Sequence, residues 1–143
     1  MNFRIKQIDH IVLRAADIDG MIQFYVGVLG CHLEKVRESL GLYQLRAGAA
    51  LIDLVAVDGP LGREGGAPPG REGRNLDHFC LRIDPFDGEG LAAYDGEGLA
   101  AYLDEKGISH GPVESRYGAE GSGPSMYLSD PEGNVIELKG PAC

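Results

Sequence analysis

Two histidines and two acids occur in matching contexts along the 143-residue chain. His10 lies in IDHIVLR, residues 8–14, and His78 in LDHFCLR, residues 76–82; Asp53 lies in LIDL, residues 51–54, and Glu137 in VIEL, residues 135–138. Two imidazoles and two carboxylates make an N₂O₂ donor set suited to a divalent metal such as Zn²⁺, Ni²⁺, Mn²⁺ or Fe²⁺. A lone histidine on a strand is more often a hydrogen-bonded core residue, and a lone buried acid is more often simply paired. Repetition of type, local pattern and position in each half favours the metal.

The elements that must position these residues also repeat. Residues 7–14 alternate as a strand does, with Ile11 and Leu13 on one face and His10, Val12 and Arg14 on the other. Asp17 is a natural N-cap, and Ile18, Met21, Ile22, Tyr25, Val26 and Leu29 form one helical stripe that ends at Gly30. Strand-like segments at 31–38, 42–46 and 50–57 follow, divided by Gly41 and Gly48, so the first half reads βαβββ. Residues 59–73 are dense in Gly and Pro, as in a loop or linker, and the order then restarts. A strand at 76–83 leads to a helix ending near Gly107 and to strands at 110–116, 125–129 and 134–139. The DPEG turn, residues 130–133, joins the last two, with Pro second and Gly fourth.

The sequence therefore predicts an α+β fold of two βαβββ modules related by a pseudo-two-fold axis within one domain: module 1 at 1–58, a linker at 59–74 and module 2 at 75–143. Alternation turns Ile52, Leu54, Ile136 and Leu138 toward the helices and Asp53 and Glu137 to the opposite face. His10 and His78 share that parity, so each module is expected to supply half of a metal's ligands. One irregularity is the octapeptide DGEGLAAY, present at 87–94 and again at 95–102. It reads as a tandem duplication, and because eight residues do not restore helical phase, the first copy is expected to form loop and the second to lead into LDEKG.

The formal net charge of −9 argues against a nucleic-acid backbone or an anionic membrane as a general partner, leaving a small molecule as the expected ligand. Cys31, Cys80 and Cys143 are odd in number and include no CxxC pair, which suggests neither a disulfide framework nor a cysteine-based zinc site. With no signal-peptide core and no spanning run, a cytoplasmic protein is expected. His32 and His110, near strand starts, read as ordinary surface residues.

The segments IDHIVLRAADI, FYVGVLG, LDHFCLRI and MYLSDPEGNVIELKG together resemble the vicinal oxygen chelate superfamily, which includes glyoxalase I, fosfomycin-resistance thiol transferases, methylmalonyl-CoA epimerase, extradiol dioxygenases and bleomycin-resistance proteins. The most specific parts are Phe24–Gly30 and Asp130–Leu138. The resemblance implies a glyoxalase-like fold, with His10, His78 and Glu137 at the usual metal-ligand positions. Asp53 stands where glyoxalase I carries a fourth ligand, a glutamate; one methylene shorter, it reaches the metal directly or through water. The resemblance also implies one divalent metal per site, a homodimer, and a Lewis acid acting on adjacent substrate oxygens.

The leading reading is a glyoxalase-like lyase or isomerase in which Glu137, or secondarily Asp53, shuttles a proton. Retention of the ligand set favours an enzyme over a non-catalytic binding or resistance protein. The same residues match the two-histidine, one-carboxylate triad of an extradiol-type Fe(II) dioxygenase, which makes that the second class of enzyme, and a fosfomycin-type thiol transferase is the third. Three further residues are candidate substrate contacts. Arg14 occupies the position of a glyoxalase I arginine that contacts a glutathione carboxylate, with a cross-strand ion pair as its plainer role. Tyr127 and Cys80 complete the set, with packing and a small buried hydrophobe as their plainer roles. Residues 114–128 do not look like the lysine-bearing loop of glyoxalase I, which counts against glutathione.

Overall fold

A computed structural model describes residues 2–86 and 97–143. The chain divides into two compact units, Met1–Glu72 and Gly73–Cys143. In the first, β1 (His10–Ala15) is followed by α1 (Ile18–Ile22), which continues as a π-helical stretch, Gln23–Val28, and then by β2 (His32–Arg37), β3 (Leu42–Ala47) and β4 (Ala50–Ala56). The sheet order is β1-β4-β3-β2, with β1 parallel to β4 and the other pairs antiparallel. Gly41 and Gly48, read as strand breaks, take positive φ values of 63° and 60° that a side chain would strain.

The expected α-helix over 18–29 begins as read, with the Asp17 carboxylate accepting from Gly20 N at 3.0 Å. It then widens. Leu29 N donates to Phe24 O at 3.1 Å, five residues back, and this larger turn brings the adjacent Phe24 and Tyr25 both into the core, their rings edge to face at 5.1 Å. Phe24, absent from the 3.6-residue stripe, is therefore buried, whereas Ile22 and Val26 are only half-buried. With Met21 these rings cover Leu13, Ala15, Leu45, Ile52 and Leu54, the buried side of the sheet.

The Gly/Pro segment is less of a linker than its composition suggests. A 3₁₀ turn spans Gly62–Gly65, and Arg14 reaches across to hold it, Nε donating to Gly62 O at 3.0 Å, Nη1 to Ala67 O at 3.0 Å and Nη2 to Gly66 O at 2.6 Å. Any Cβ on Gly65 would collide with that guanidinium. The first compact unit includes this segment, through Glu72.

The second unit repeats the plan: β5 (Phe79–Arg82), α2 (Glu97–Glu105), β6 (Glu114–Gly118), β7 (Gly121–Ser129) and β8 (Val135–Lys139), in sheet order β5-β8-β7-β6 with β5 parallel to β8. Its core is Phe86, Leu103, Met126, Leu128, Ile136 and Leu138. Residues 97–102 of the second octapeptide copy lie in α2, as expected; the first copy, 87–94, is outside the described residues.

Several strand bounds differ from the sequence reading: β1 and β5 begin at 10 and 79, each three residues later than read, and larger shifts occur in the second sheet. The strand expected at 110–116 runs from 114 to 118, with His110 making only an isolated bridge to Leu128, and β7 starts at 121 instead of 125. GSGPS has the composition of a loop, yet here glycine answers a packing need. A Cβ on Gly118 would lie 2.8 Å from Lys139 Cε, and one on Gly123 3.0 Å from Lys139 Nζ, so the lysine stem fills the space their side chains would take.

The DPEG turn forms as read, Gly133 N donating to Asp130 O at 3.0 Å. Asp130, 5% exposed, accepts from Glu132 N at 3.0 Å, Asn134 N at 2.9 Å and Asn134 Nδ2 at 2.7 Å, while Arg74 Nη2 donates to Glu132 O at 2.8 Å. Replacing Asp130 by Ala orphans these donors. The expected result is a loss of about 2–3 kcal/mol in urea-unfolding free energy, with the Asn variant less affected.

Candidate functional site

In each unit a parallel pairing sets a histidine beside an acid. Val12 is in register with Asp53, and alternation along β1 puts His10, Val12 and Arg14 on the Asp53 side. Asp53 is 4% exposed; its Oδ2 accepts from Gln44 Nε2 at 3.2 Å, and its Oδ1 is buried without a hydrogen-bond partner among the described residues. His10 Nδ1 lies 2.7 Å from Asp9 Oδ1. That bond, foremost, and the Asp53 charge raise the imidazole above its ordinary 6.5, against an opposing effect of desolvation.

In the second unit Cys80, Glu137 and Tyr127 stand abreast on β5, β8 and β7, and His78 is two residues before Cys80. His78 Nδ1 lies 2.7 Å from Asp77 Oδ2 and Nε2 lies 3.4 Å from Glu137 Oε2. Glu137 is 6% exposed, and its Oε1, like Asp53 Oδ1, is buried and unpartnered among the described residues. Tyr127 meets the His78 ring edge-on at 5.2 Å. Arg116 caps the other side of Tyr127 at 4.5 Å and donates through Nη1 to Ser125 O and Oγ, both at 2.9 Å. The same face carries Lys139, 6% exposed, whose Nζ has no hydrogen-bond partner among the described residues.

These donors fit a cation. A buried carboxylate oxygen left unpaired costs on the order of 1–3 kcal/mol or more, and the cost falls at the same position in both units. The 3.4 Å from His78 Nε2 to Glu137 Oε2 is long for a hydrogen bond but close to the separation of two tetrahedral ligands each about 2.0–2.1 Å from one ion. Among the described residues, no group of three or more His, Cys, Asp or Glu side chains is gathered for a metal. Each unit thus offers a pair.

The structure puts His10 on the Asp53 face of the first sheet, within reach of its charge, and brings His78 together with Glu137 and Tyr127 on the face that carries Cys80. Arg14 is turned to loop carbonyls through three nitrogens, so its evident work is to hold the loop. Cys80 is exposed, not the small buried hydrophobe that was its plainer role. His110, read as a surface residue, is half-buried and bridges Asp104 at 2.9 Å and Gly111 O at 3.0 Å. Sequence reasoning missed Asp9, Asp77, Gln44, Arg116 and Lys139. Only the two aspartates left a signal, since the acid before each histidine is itself part of the repeat.

Residues 7–138 match the model of the Glyoxalase/Bleomycin resistance protein/Dioxygenase superfamily, and the chain belongs to this family. It is 31% identical over 137 residues to virulence protein STM3117 of Salmonella typhimurium, covering 94% of this chain and 83% of that protein. The crystal structure of STM3117 superposes with a TM-score of 0.73 at 25% identity, covering 98% of this chain and all of that one. A protein from the mobile metagenome of V. Pseudocholerae superposes over the full length of both chains, with a TM-score of 0.74 at 26% identity. Lactoylglutathione lyase from Agrobacterium tumefaciens shares the fold, with a TM-score of 0.62 at 21% identity over 95% of this chain and 94% of that one. Among the described residues no helix is long and apolar enough to cross a membrane.

Desolvation first, and the neighbouring Glu137 charge second, push the Cys80 thiol up to about 11, although its surface is exposed. At pH 8 iodoacetamide should therefore modify exposed Cys143 faster than Cys80, as followed by mass spectrometry of the digested protein. Glu137→Gln removes a charge that opposes thiolate formation and should speed Cys80 alkylation several-fold.

Proposed function

We propose that the chain is a divalent-metal-dependent lyase or isomerase acting on a small anionic substrate with two adjacent oxygens. The observation that carries this reading is the pair of buried carboxylate oxygens without hydrogen-bond partners among the described residues, Asp53 Oδ1 and Glu137 Oε1, each on the face of a sheet that also bears a histidine. His10 and Asp53 in the first unit, and His78 and Glu137 in the second, are the proposed ligands for Zn²⁺, Ni²⁺, Mn²⁺ or Fe²⁺. Such an ion, when bound, supplies Lewis-acid polarisation of a substrate carbonyl.

The remaining work falls to the chain. Glu137 is the proposed proton carrier: Oε2 faces His78, while Oε1 is free to take the proton beside a carbonyl and return it to the neighbouring carbon. Gln44 anchors one oxygen of Asp53, which leaves the other to serve as ligand and makes Asp53 the secondary base. Tyr127, packed between His78 and Arg116, orients the imidazole and lines the same face. Lys139 supports the choice of an anionic substrate, because its buried ammonium has no hydrogen-bond partner among the described residues and an incoming carboxylate can supply one.

Elemental analysis of protein purified without chelator, followed by turnover with α-ketoaldehyde hemithioacetals and with catechols, in air and without it, tests the reading. Oxygen-independent isomerisation is the expected result. Catechol cleavage that requires O₂ and Fe²⁺ would establish a dioxygenase, turnover of fosfomycin with a thiol a transferase, and ligand binding without metal or turnover a sequestering protein. Glu137→Gln should lower kcat at saturating metal by on the order of 10²-fold or more while the protein stays folded by circular dichroism. Lys139→Met should raise KM more than it lowers kcat and leave Tm unchanged or higher, since it replaces a buried ammonium that has no hydrogen-bond partner among the described residues with an apolar chain of similar volume.

A further inference from the structure

The acid preceding each histidine is unexplained by the scheme above. Asp9 and Asp77 sit at equivalent places in the two units, and each puts a carboxylate oxygen 2.7 Å from Nδ1 of the next residue, His10 or His78. Their side chains are 83% and 96% exposed, so these contacts add little to stability. Their consequence is chemical. An ionised carboxylate can only accept, so the ring hydrogen must sit on Nδ1, and in the neutral imidazole Nε2 then carries the lone pair. In the second unit that nitrogen is the one facing Glu137.

His110 provides a contrast within the same chain. Its Nε2 lies 2.9 Å from Asp104 Oδ1 and its Nδ1 lies 3.0 Å from Gly111 O, so both nitrogens face acceptors and neither is left to bind a cation. At His10 and His78 the short contact, 2.7 Å, is made by Nδ1, and Nε2 of His78 stands 3.4 Å from Glu137 Oε2, beyond ordinary hydrogen-bond length.

We propose that Asp9 and Asp77 are positioning residues that fix the Nδ1–H form of His10 and His78 and so present Nε2 to the divalent metal, an inference that rests on the metal reading above. Carboxylates that hold metal-binding imidazoles typically strengthen affinity 10- to 100-fold, because they set the ring orientation and make the coordinating nitrogen more basic. The repeat unit for metal binding in this chain would then be Asp-His together with the acid on the parallel strand.

Two measurements on the full-length protein test this. Long-range ¹H–¹⁵N correlation spectra of metal-free protein, taken above the histidine titration range, report which nitrogen carries the hydrogen. His10 and His78 should be in the Nδ1–H form, and Asp9→Ala and Asp77→Ala should each return only the following histidine to the Nε2–H form common in water. Equilibrium dialysis against Zn²⁺ should then show each variant binding 10- to 100-fold more weakly than the parent, Asp77→Asn losing less than Asp77→Ala, and Asp104→Ala unchanged. Nε2–H tautomers in the parent protein, or parental Zn²⁺ affinity in both alanine variants, would overturn the proposal. A parent that takes up neither Zn²⁺ nor Mn²⁺ would overturn the metal reading and the cation-presenting role with it, and the tautomer, read without metal, would still decide whether the aspartates set the ring.

Discussion

Everything at the candidate site depends on the parallel pairing of the first and last strands in each unit. Side chains in register across parallel strands point to the same side, so β1 against β4, and β5 against β8, oblige a histidine and an acid to share a face. A slip of one residue would send Asp53 or Glu137 into the apolar layer beneath, where Ile52, Leu54, Ile136 and Leu138 now sit. The hydrophobic core thus specifies the polar site. Burying those four residues fixes the register, and the register fixes which acids are drawn out of water, each with one oxygen unpartnered among the described residues.

The same parity explains why so much was legible in the sequence. Alternation around LIDL and VIEL is strict, and the βαβββ order, the helix start at Asp17 and the DPEG turn rest on short-range chemistry that composition reports faithfully. What escaped detection depended on the third dimension. Gln44 meets Asp53 only because β3 is in register with β4, and Arg14 is committed to carbonyls some fifty residues away. The widening of the first helix, which buries Phe24, follows from how two adjacent rings pack and has no periodic signature. The start of β7 was missed because glycine normally signals a turn, whereas Gly118 and Gly123 make room for a lysine stem.

Although built to one plan, the two polar faces have taken on different work. In the first unit the face is tied down: Gln44 holds Asp53, and Arg14 is spent on the loop at 62–67. In the second, as at Asp53 Oδ1 in the first, buried polar atoms lack hydrogen-bond partners among the described residues, and here Glu137 Oε1 and Lys139 Nζ lie with the long Glu137–His78 contact and the exposed thiol of Cys80 along two neighbouring strands. Tension of this kind is what a site keeps when its electrostatics are completed by something other than itself.

The Arg14 clasp has an evolutionary consequence. A cation that in the resemblance reads as a substrate contact has here become an internal strut, and Gly65 has been left bare to let it pass. Recovering a substrate-facing arginine would require more than remodelling a pocket: the loop would have to find another support first, so the two changes are locked in sequence. In the second unit the side chains of Tyr127 and Cys80 are not tied to loop carbonyls among the described residues, so either can be changed without first rebuilding a turn.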